Sequence, residues 1–335
     1  MREIVSIPCQ GWFLHAIVHK PRQIPGTRIG LVLFHENQNT KFGVHRLFRQ
    51  LGDALAEAGF FCLRYDDRGM CDSPGICELT IAHRLEDARS AIAFFRSHYS
   101  LDLVVGWGLC LGSAVAAYCG GEPQRAEERL DALILCNILA DPARVSRPEW
   151  GYQKVDLPQV AKDIFLRGNF WKKIVRAPQN LASYRTKLSV LAARYLRRQP
   201  RELVRLRKAI GRVGGLLAGY EGPCLLIFSE KDTYLTEFHE RVNPGDKLGL
   251  KGKAIPPDWL LVKNGDHTFS SCERTAELID GTLNWLRQFR EGPRVAENAV
   301  RAGARRTSAM LEIASTAPST DDFFPAEQPE SHGLP

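Results

Sequence analysis

The stretch that decides the fold is Leu101-Asp-Leu-Val-Val-Gly-Trp-Gly-Leu-Cys110-Leu-Gly-Ser-Ala-Val-Ala-Ala-Tyr118. Its first part, Leu103 to Trp107, is a short apolar run that is typical of a buried strand. Its last part consists of small, helix-forming residues. Between them lies Gly-Leu-Cys110-Leu-Gly, the glycine–x–nucleophile–x–glycine pattern of a sharp strand-to-helix elbow, with cysteine where serine is usual. The stretch therefore predicts a strand, a tight turn that carries a nucleophile, and a helix.

The surroundings of Cys110 favour a reactive thiolate. A helix N-terminus stabilises negative charge through its unpaired N–H groups and its dipole. Gly108 and Gly112 lack a Cβ, so the strand and the helix can approach each other closely. The backbone N–H of Leu111 is the predicted donor to the oxygen of a bound acyl group. The alternative interpretation is a small buried cysteine beside two turn glycines.

Size and composition are those of a globular protein. The chain has 335 residues, of which 44% are hydrophobic and 25% charged, and no apolar run reaches the length of a membrane span. The first residues do not resemble a signal peptide, so we expect a cytoplasmic protein. Nine cysteines occur singly, without a Cys-x-x-Cys pair. Neither a zinc site nor a disulfide framework is predicted, and reduced thiols suit a cytosolic cysteine nucleophile.

The positive charge is concentrated in one segment. Residues 140–219 contain 18 Lys and Arg against 5 Asp and Glu, a local balance of +13 in a chain of net charge +7. A basic face is usually solvated, but it can also attract an anionic substrate or dock on an acidic membrane surface. No nucleic-acid-binding module is recognisable, so we expect no nucleic-acid partner.

The chain alternates strands and helices before and after the basic segment. Parallel β-α-β units packed as helices on both faces of a sheet follow from that alternation. The predicted strands are 3–8, 11–19, 30–35, 60–65, 103–107, 130–136, 224–228 and 259–262, and the predicted helices outside the basic segment are 45–58, 81–96, 113–118 and 275–289.

The basic segment interrupts this rhythm. Residues 140–219 contain no predicted strand, and the expected helices there are 157–167, 184–198 and 201–217. We interpret the segment as a helical cap inserted between two parts of one core, 1–139 and 220–290. Residues 291–335 have little apolar periodicity and are expected to form a disordered tail.

Three side chains with complementary chemistry follow strands of the predicted sheet. In a parallel sheet, reactive residues collect beyond the carboxyl ends of the strands. Cys110 is the predicted nucleophile, His267 the base that takes its proton, and Asp232 the acid that orients the imidazole. Asp141, after the preceding strand, is an alternative acid. Asp266 is adjacent to His267 and is interpreted as part of the loop structure.

The loop after the first parallel strand should supply a second oxyanion donor. The sequence there is His35-Glu-Asn37-Gln38-Asn39, and Asn37 or Gln38 is the candidate. A plain polar turn is the alternative. Another loop at the same sheet edge contains Arg68, Cys71 and Asp72, which are interpreted as loop-shaping or bystander residues.

Together these motifs resemble the α/β-hydrolase superfamily over residues 1–290. The stretches that carry the resemblance are His-Arg-Leu-Phe-Arg from 45, Arg-Tyr-Asp-Asp-Arg-Gly-Met at 64–70, Gly-Leu-Cys at 108–110 and Gly-Asp-His-Thr-Phe at 265–269. They look most like exosortase-A-system-associated hydrolases of exopolysaccharide clusters, and more distantly like serine-aminopeptidase-type lipases and esterases. A Cys–Asp–His triad is also similar to that of dienelactone hydrolases. His35-Glu36 departs from the His-Gly or Gly-Gly of many relatives.

The resemblance implies an α/β-hydrolase fold with a mostly parallel sheet and a helical cap. It also implies ester or acyl chemistry, linked in the exosortase group to polysaccharide or surface-protein processing. We therefore expect a cysteine-dependent hydrolase or acyltransferase acting on an ester or thioester, on a small-molecule or saccharide-linked substrate, without cofactor or metal. The alternative is a non-catalytic scaffold that binds an acidic polymer or partner through its basic cap.

Overall fold

The computed structural model describes residues 1–36, 40–75, 80–146 and 201–291. In these ranges the predicted alternation of strands and helices is present. The strands are β1 (Arg2–Cys9), β2 (Trp12–His19), β3 (Ile29–Phe34), β4 (Phe61–Tyr65), β5 (Leu103–Leu109), β6 (Ala132–Cys136), β7 (Cys224–Ser229) and β8 (Asp258–Val262). The helices are α1 (Leu47–Glu57), α2 (Ile81–His98), α3 (Leu111–Gly121), α4 (Arg201–Gly219), α5 (Tyr234–Glu237) and α6 (Cys272–Glu291).

The strands form one eight-stranded sheet in the order β1-β2-β4-β3-β5-β6-β7-β8. β1 and β2 pair antiparallel, and β2 pairs antiparallel with β4, whereas the pairs from β4 to β8 are parallel. β5 lies in the middle of the parallel part, between β3 and β6. The sequences of the central parallel strands are continuous apolar runs because helices cover both faces of these strands.

Helices cover both faces of the sheet. α1 contacts α6 on one face, while α2 and α4 both contact α3 on the other. Trp107 of β5 anchors the first face: its ring lies edge-on to Phe48 of α1 at 5.7 Å, and its indole N–H is 3.4 Å from the hydroxyl of Thr282 in α6. Complete burial of a side chain of this size contributes strongly to stability.

The predicted cap falls largely outside the described residues. Its helices 157–167 and 184–198 lie in 147–200, and the predicted tail lies in 292–335, so neither is described. The last predicted helix of the basic segment is present as α4, which packs on α3, and Ile210 and Val213 are among its buried residues. The division into core and cap remains a prediction. Within the described ranges, no helix is both long and apolar enough to cross a membrane.

Candidate active site

The turn between β5 and α3 consists of a single residue, Cys110. Its backbone lies at φ 56° and ψ −115°, a conformation that non-glycine residues rarely adopt. Backbone hydrogen bonds to the end of β6 and the residues after it hold this conformation. Cys110 N donates to the carbonyl oxygen of Cys136 at 3.0 Å, and Leu139 N donates to the carbonyl oxygen of Cys110 at 3.3 Å. Strain of this kind persists where the surroundings over-determine the backbone, and it clusters at functional sites.

The two glycines of the elbow are required by close backbone contacts. A Cβ on Gly112 would lie 2.0 Å from the carbonyl oxygen of Phe34, at the end of β3. A Cβ on Gly108 would lie 2.4 Å from the backbone of Gly112. The start of α3 therefore rests against both its own strand and the neighbouring one, and any side chain at position 112 would push it away.

His267 and Asp232 come together at the carboxyl edge of the sheet. Asp232 follows β7, His267 follows β8, and the Nδ1 atom of His267 is hydrogen-bonded to a carboxylate oxygen of Asp232. Burial would lower the pKa of His267, but hydrogen bonds and negative charge from Asp232 and Cys110 outweigh it and raise the pKa to about 10. The imidazole is thus within the electrostatic reach of both partners.

The alternative acid, Asp141, and the loop residue Asp266 have other partners. Asp141 accepts hydrogen bonds from its own loop at Ala143 and from the guanidinium of Arg241, each at 2.9 Å. Asp266 accepts from the backbone of Ser270 at 2.8 Å and so shapes its own loop, as its sequence position indicates. Asp232, not Asp141, is the acid that meets His267.

Asn137, which sequence reasoning missed, connects the two loops of the site. It is fully buried after β6. Its side-chain amide donates to the hydroxyl of Ser229 and to the carbonyl oxygen of His267, each at 2.9 Å, and its Oδ1 accepts from Ser229 N at 2.9 Å. The backbone of Asn137 lies at φ 41°, a left-handed conformation that asparagine adopts more readily than most other non-glycine residues, but this is a feature of the folded chain and no sequence pattern marks the residue.

The predicted oxyanion donors are only partly described. Leu111 is the first residue of α3, where backbone N–H groups have no partner within the helix. Asn37 and Gln38 lie outside the described residues, and their role remains a prediction. The chain leading to them is held by Arg84, whose guanidinium donates to the carbonyl oxygen of His35 at 2.6 Å and pairs with Asp67 at 3.0 Å. Burial lowers the pKa of His35, which favours a neutral ring there.

The loop after β4 is built from ion pairs. Arg68 binds Asp87 and Glu86 of α2, each at 2.5 Å, so it holds its own loop. Ligand atoms of Asp66, Cys71 and Asp72 lie within 4.8 Å of one another, a spacing that could suit a metal ion. The ammonium group of Lys41 binds both carboxylates, however, at 2.5 Å from Asp72. This arrangement fits a buried lysine ion pair better than a cation site.

A second residue missed by sequence reasoning touches the sulfur itself. The hydroxyl of Tyr234, the first residue of α5, lies 3.1 Å from Sγ of Cys110. Its ring faces the imidazole of His267 at a centroid distance of 4.7 Å, and the guanidinium of Arg144 lies 3.8 Å over it. Tyr234 is close to Asp232 in sequence, but α5 is a four-residue helix without a recognisable pattern.

The comparisons with known proteins agree with this architecture. The family model described as the alpha/beta hydrolase fold matches residues 39–242. The chain therefore belongs to the α/β-hydrolase-fold family. No curated protein matches it by sequence.

Solved structures resemble the chain in fold. Est1E from Butyrivibrio proteoclasticus with ferulic acid bound superimposes with a TM-score of 0.58 at 16% identity, covering 85% of this chain and 98% of Est1E. An esterase from Pyrococcus furiosus gives 0.56 at 13%, covering 86% and 92%. A dienelactone hydrolase from Anabaena variabilis gives 0.53 at 11%, covering 86% and 97%. At these identities the likeness shows the fold alone.

Proposed function

We propose that the protein is a cysteine-dependent hydrolase or acyltransferase that acts on esters or thioesters through Cys110, His267 and Asp232. One observation carries the proposal: a cysteine sits on a strained elbow at the sheet edge where Asp232 also holds an imidazole. A thiol needs a base to become a nucleophile at neutral pH, and an imidazole needs an acid to fix its tautomer. The family shows a hydrolase fold, and the side chains supply the chemistry.

The proposed reaction forms and resolves an acyl-enzyme. The thiolate of Cys110 attacks the carbonyl carbon, and the oxyanion is held by the N–H of Leu111 and by a donor from the loop at Asn37 and Gln38. The imidazolium of His267 then gives its proton to the departing alcohol or thiol as the bond to it breaks. Water, or the hydroxyl of an acceptor molecule, attacks the thioester while giving its proton to His267. The bond between the acyl carbon and Sγ then breaks, which releases the acyl group as an acid or a new ester and restores the thiolate of Cys110.

The proposed substrate class rests on the similar structures, the sequence motifs and the basic segment. Est1E with bound ferulic acid, the Pyrococcus furiosus esterase and the Anabaena variabilis dienelactone hydrolase have names that agree with ester chemistry. The sequence motifs resemble hydrolases of exopolysaccharide clusters, so we include saccharide-linked esters in the proposal. The basic segment 140–219 would favour anionic substrates or an acidic membrane surface. The cytoplasm, which keeps thiols reduced, is the proposed location.

The test is a panel of acyl esters and thioesters with mass spectrometry of the intact protein. We expect a burst of product, an adduct of one acyl group on Cys110, and loss of both in Cys110→Ala. Cys119→Ala is the matched control, because Cys119 is a buried thiol on α3 whose pKa burial raises to about 12. Full turnover by Cys110→Ala on every hydrolysed ester would refute the assignment of Cys110 as the nucleophile.

The same panel separates catalysis from binding. If the wild-type protein hydrolyses nothing and forms no adduct, the non-catalytic scaffold becomes the better interpretation. That alternative predicts binding of an acidic polymer that survives Cys110→Ala and weakens steeply with added salt.

A further inference from the structure

We propose that Tyr234 is a further catalytic residue, which donates a hydrogen bond from its hydroxyl to the thiolate of Cys110 and so helps to keep the nucleophile charged. This inference rests on the proposed function. The observation behind it is the 3.1 Å separation of the Tyr234 hydroxyl from Sγ of Cys110, in a site where both side chains are buried.

The direction of the hydrogen bond follows from the chemistry of the two groups. A thiolate has no proton to give, so the phenol must be the donor. Burial, followed by the charge of Cys110 and the hydrogen bond to it, raises the pKa of Tyr234 well above its usual range. The phenol therefore stays protonated across the pH range in which a cysteine enzyme works, and it remains a donor throughout.

Arg144 and His267 hold the tyrosine in place. The guanidinium of Arg144 lies 3.8 Å over its ring and donates to the hydroxyl of Thr233 at 2.9 Å. The same guanidinium pairs with Glu237 at 3.1 Å and with Asp232 at 3.5 Å. The ring also packs against the imidazole of His267, at a centroid distance of 4.7 Å. A phenol packed in this way loses little freedom on donating, which makes its bond to the sulfur more effective.

The contribution of the Tyr234 hydroxyl is judged against the charged groups around Cys110 and Tyr234. The imidazole of His267 interacts with the sulfur, Arg144 and Asp232 interact electrostatically with Tyr234, and Glu237 pairs with Arg144. The guanidinium of Arg144 is shared between the carboxylates of Asp232 and Glu237 and the ring of Tyr234. Beside the imidazolium of His267, the Tyr234 hydroxyl is thus a second donor for the sulfur. Such a bond to a charged acceptor is typically worth a factor of ten or more in the ionisation equilibrium.

The experiment measures thiolate formation directly, without a substrate. Alkylation of Cys110 by iodoacetamide is followed against pH by peptide mass spectrometry, with the exposed Cys71 and Cys272 as internal references. Thiolate absorbance near 240 nm, with Cys110→Ser subtracted, gives an independent midpoint. We expect Tyr234→Phe to move the midpoint upward by about one pH unit, because the charged acceptor loses a donor.

The control is Tyr220→Phe. Tyr220 is also buried, and its hydroxyl donates to the carbonyl oxygen of Leu130 at 3.2 Å, away from the sulfur. It should leave the alkylation midpoint unchanged while testing the general cost of removing a buried phenol hydroxyl. An unshifted midpoint in folded Tyr234→Phe would overturn the inference.

A second variant keeps the test decisive if Tyr234→Phe does not fold. Site-specific replacement of Tyr234 by 3-fluorotyrosine preserves the shape of the ring and makes the hydroxyl a stronger donor. The midpoint should then move downward, and an unchanged or higher midpoint would contradict the inference. Failure of the proposed function looks different: Cys110 would then show no acyl adduct with any ester, whatever residue stands at position 234.

Discussion

The side-chain amide of Asn137 donates a hydrogen bond to the main-chain carbonyl oxygen of His267 at 2.9 Å. The same side chain pairs with Ser229 at the end of β7, so one buried residue ties the histidine loop to the strand that leads into Asp232. The relative position of the base and the acid therefore depends on a residue that takes no part in proton transfer. It is a positioning residue, and it lies after a third strand, β6.

Asn137→Ala should loosen this connection. The change leaves the buried N–H of Ser229 without its acceptor, so we expect the free energy of unfolding to fall by about 1–3 kcal/mol. We also expect kcat/KM to fall at least about tenfold, since small displacements of catalytic groups are costly. Urea denaturation and ester kinetics measure the two effects. Asn284→Ala is the control, because Asn284 is exposed and its side chain accepts a hydrogen bond from Arg287, away from Ser229 and His267 among the described residues. Equal activity of Asn137→Ala and wild type would show that Asn137 does not position the catalytic groups.

Asp232→Asn should impair the chemical step. The amide cannot stabilise an imidazolium and favours the wrong tautomer, so kcat should fall by roughly a thousand- to ten-thousand-fold. Single-turnover acylation rates report this directly. Asp266→Asn is the matched control, because Asp266 bonds to Ser270 of its own loop and not to the imidazole of His267. If Asp266→Asn were the more damaging change, the assignment of the acid would be wrong.

The pH dependence should reflect the raised pKa of His267. Since burial is outweighed by Asp232 and Cys110 and the pKa is about 10, acylation should persist into alkaline solution and decline as the pH passes about 10. A single-turnover profile from pH 6 to 11 checks this. A decline centred near the ordinary histidine value of about 6.5 would contradict it.

The same shift predicts how stability depends on pH. The folded-state pKa lies above the unfolded value, so the charged imidazole contributes stability that is fully present below about pH 6.5. That contribution is lost as the pH rises through about 10. Urea denaturation of the wild type and of His267→Gln across this range should show the difference between them shrinking with increasing pH. A difference that grows would show that the sign is wrong.

Gly112→Ala should disrupt the elbow. Its Cβ would lie 2.0 Å from the carbonyl oxygen of Phe34, a backbone atom that cannot move without displacing β3. We expect a loss of stability of at least about 1–3 kcal/mol and loss of ester turnover. Gly215→Ala in α4 is the control, because nothing lies within 4 Å of its added Cβ and alanine favours a helix by about 1 kcal/mol. Thermal unfolding and ester turnover are measured for both variants. Equal stability and equal turnover of Gly112→Ala and Gly215→Ala would contradict the steric argument.

The sequence by itself determined the fold and predicted Cys110, His267 and Asp232 for the candidate site, with Asp141 left as an alternative acid. Buried parallel strands have continuous apolar sequences, and the glycines around Cys110 indicate a tight turn. Both features are visible in the local sequence. Cys110, Asp232 and His267 could be named because parallel strands bring their carboxyl ends to one edge. The short helix α5 and the last two residues of β5 were not predicted, since neither has a distinct periodic pattern.

Only the tertiary structure decided between Asp232 and Asp141, because both follow strands and local sequence does not say which carboxylate reaches the imidazole of His267. It alone also revealed Asn137 and Tyr234. Their contacts to His267 and Cys110 join positions more than 100 residues apart in the chain. Patterns along a sequence report which face of a strand or helix is buried, whereas hydrogen bonds between distant loops depend on how the whole sheet brings those loops together.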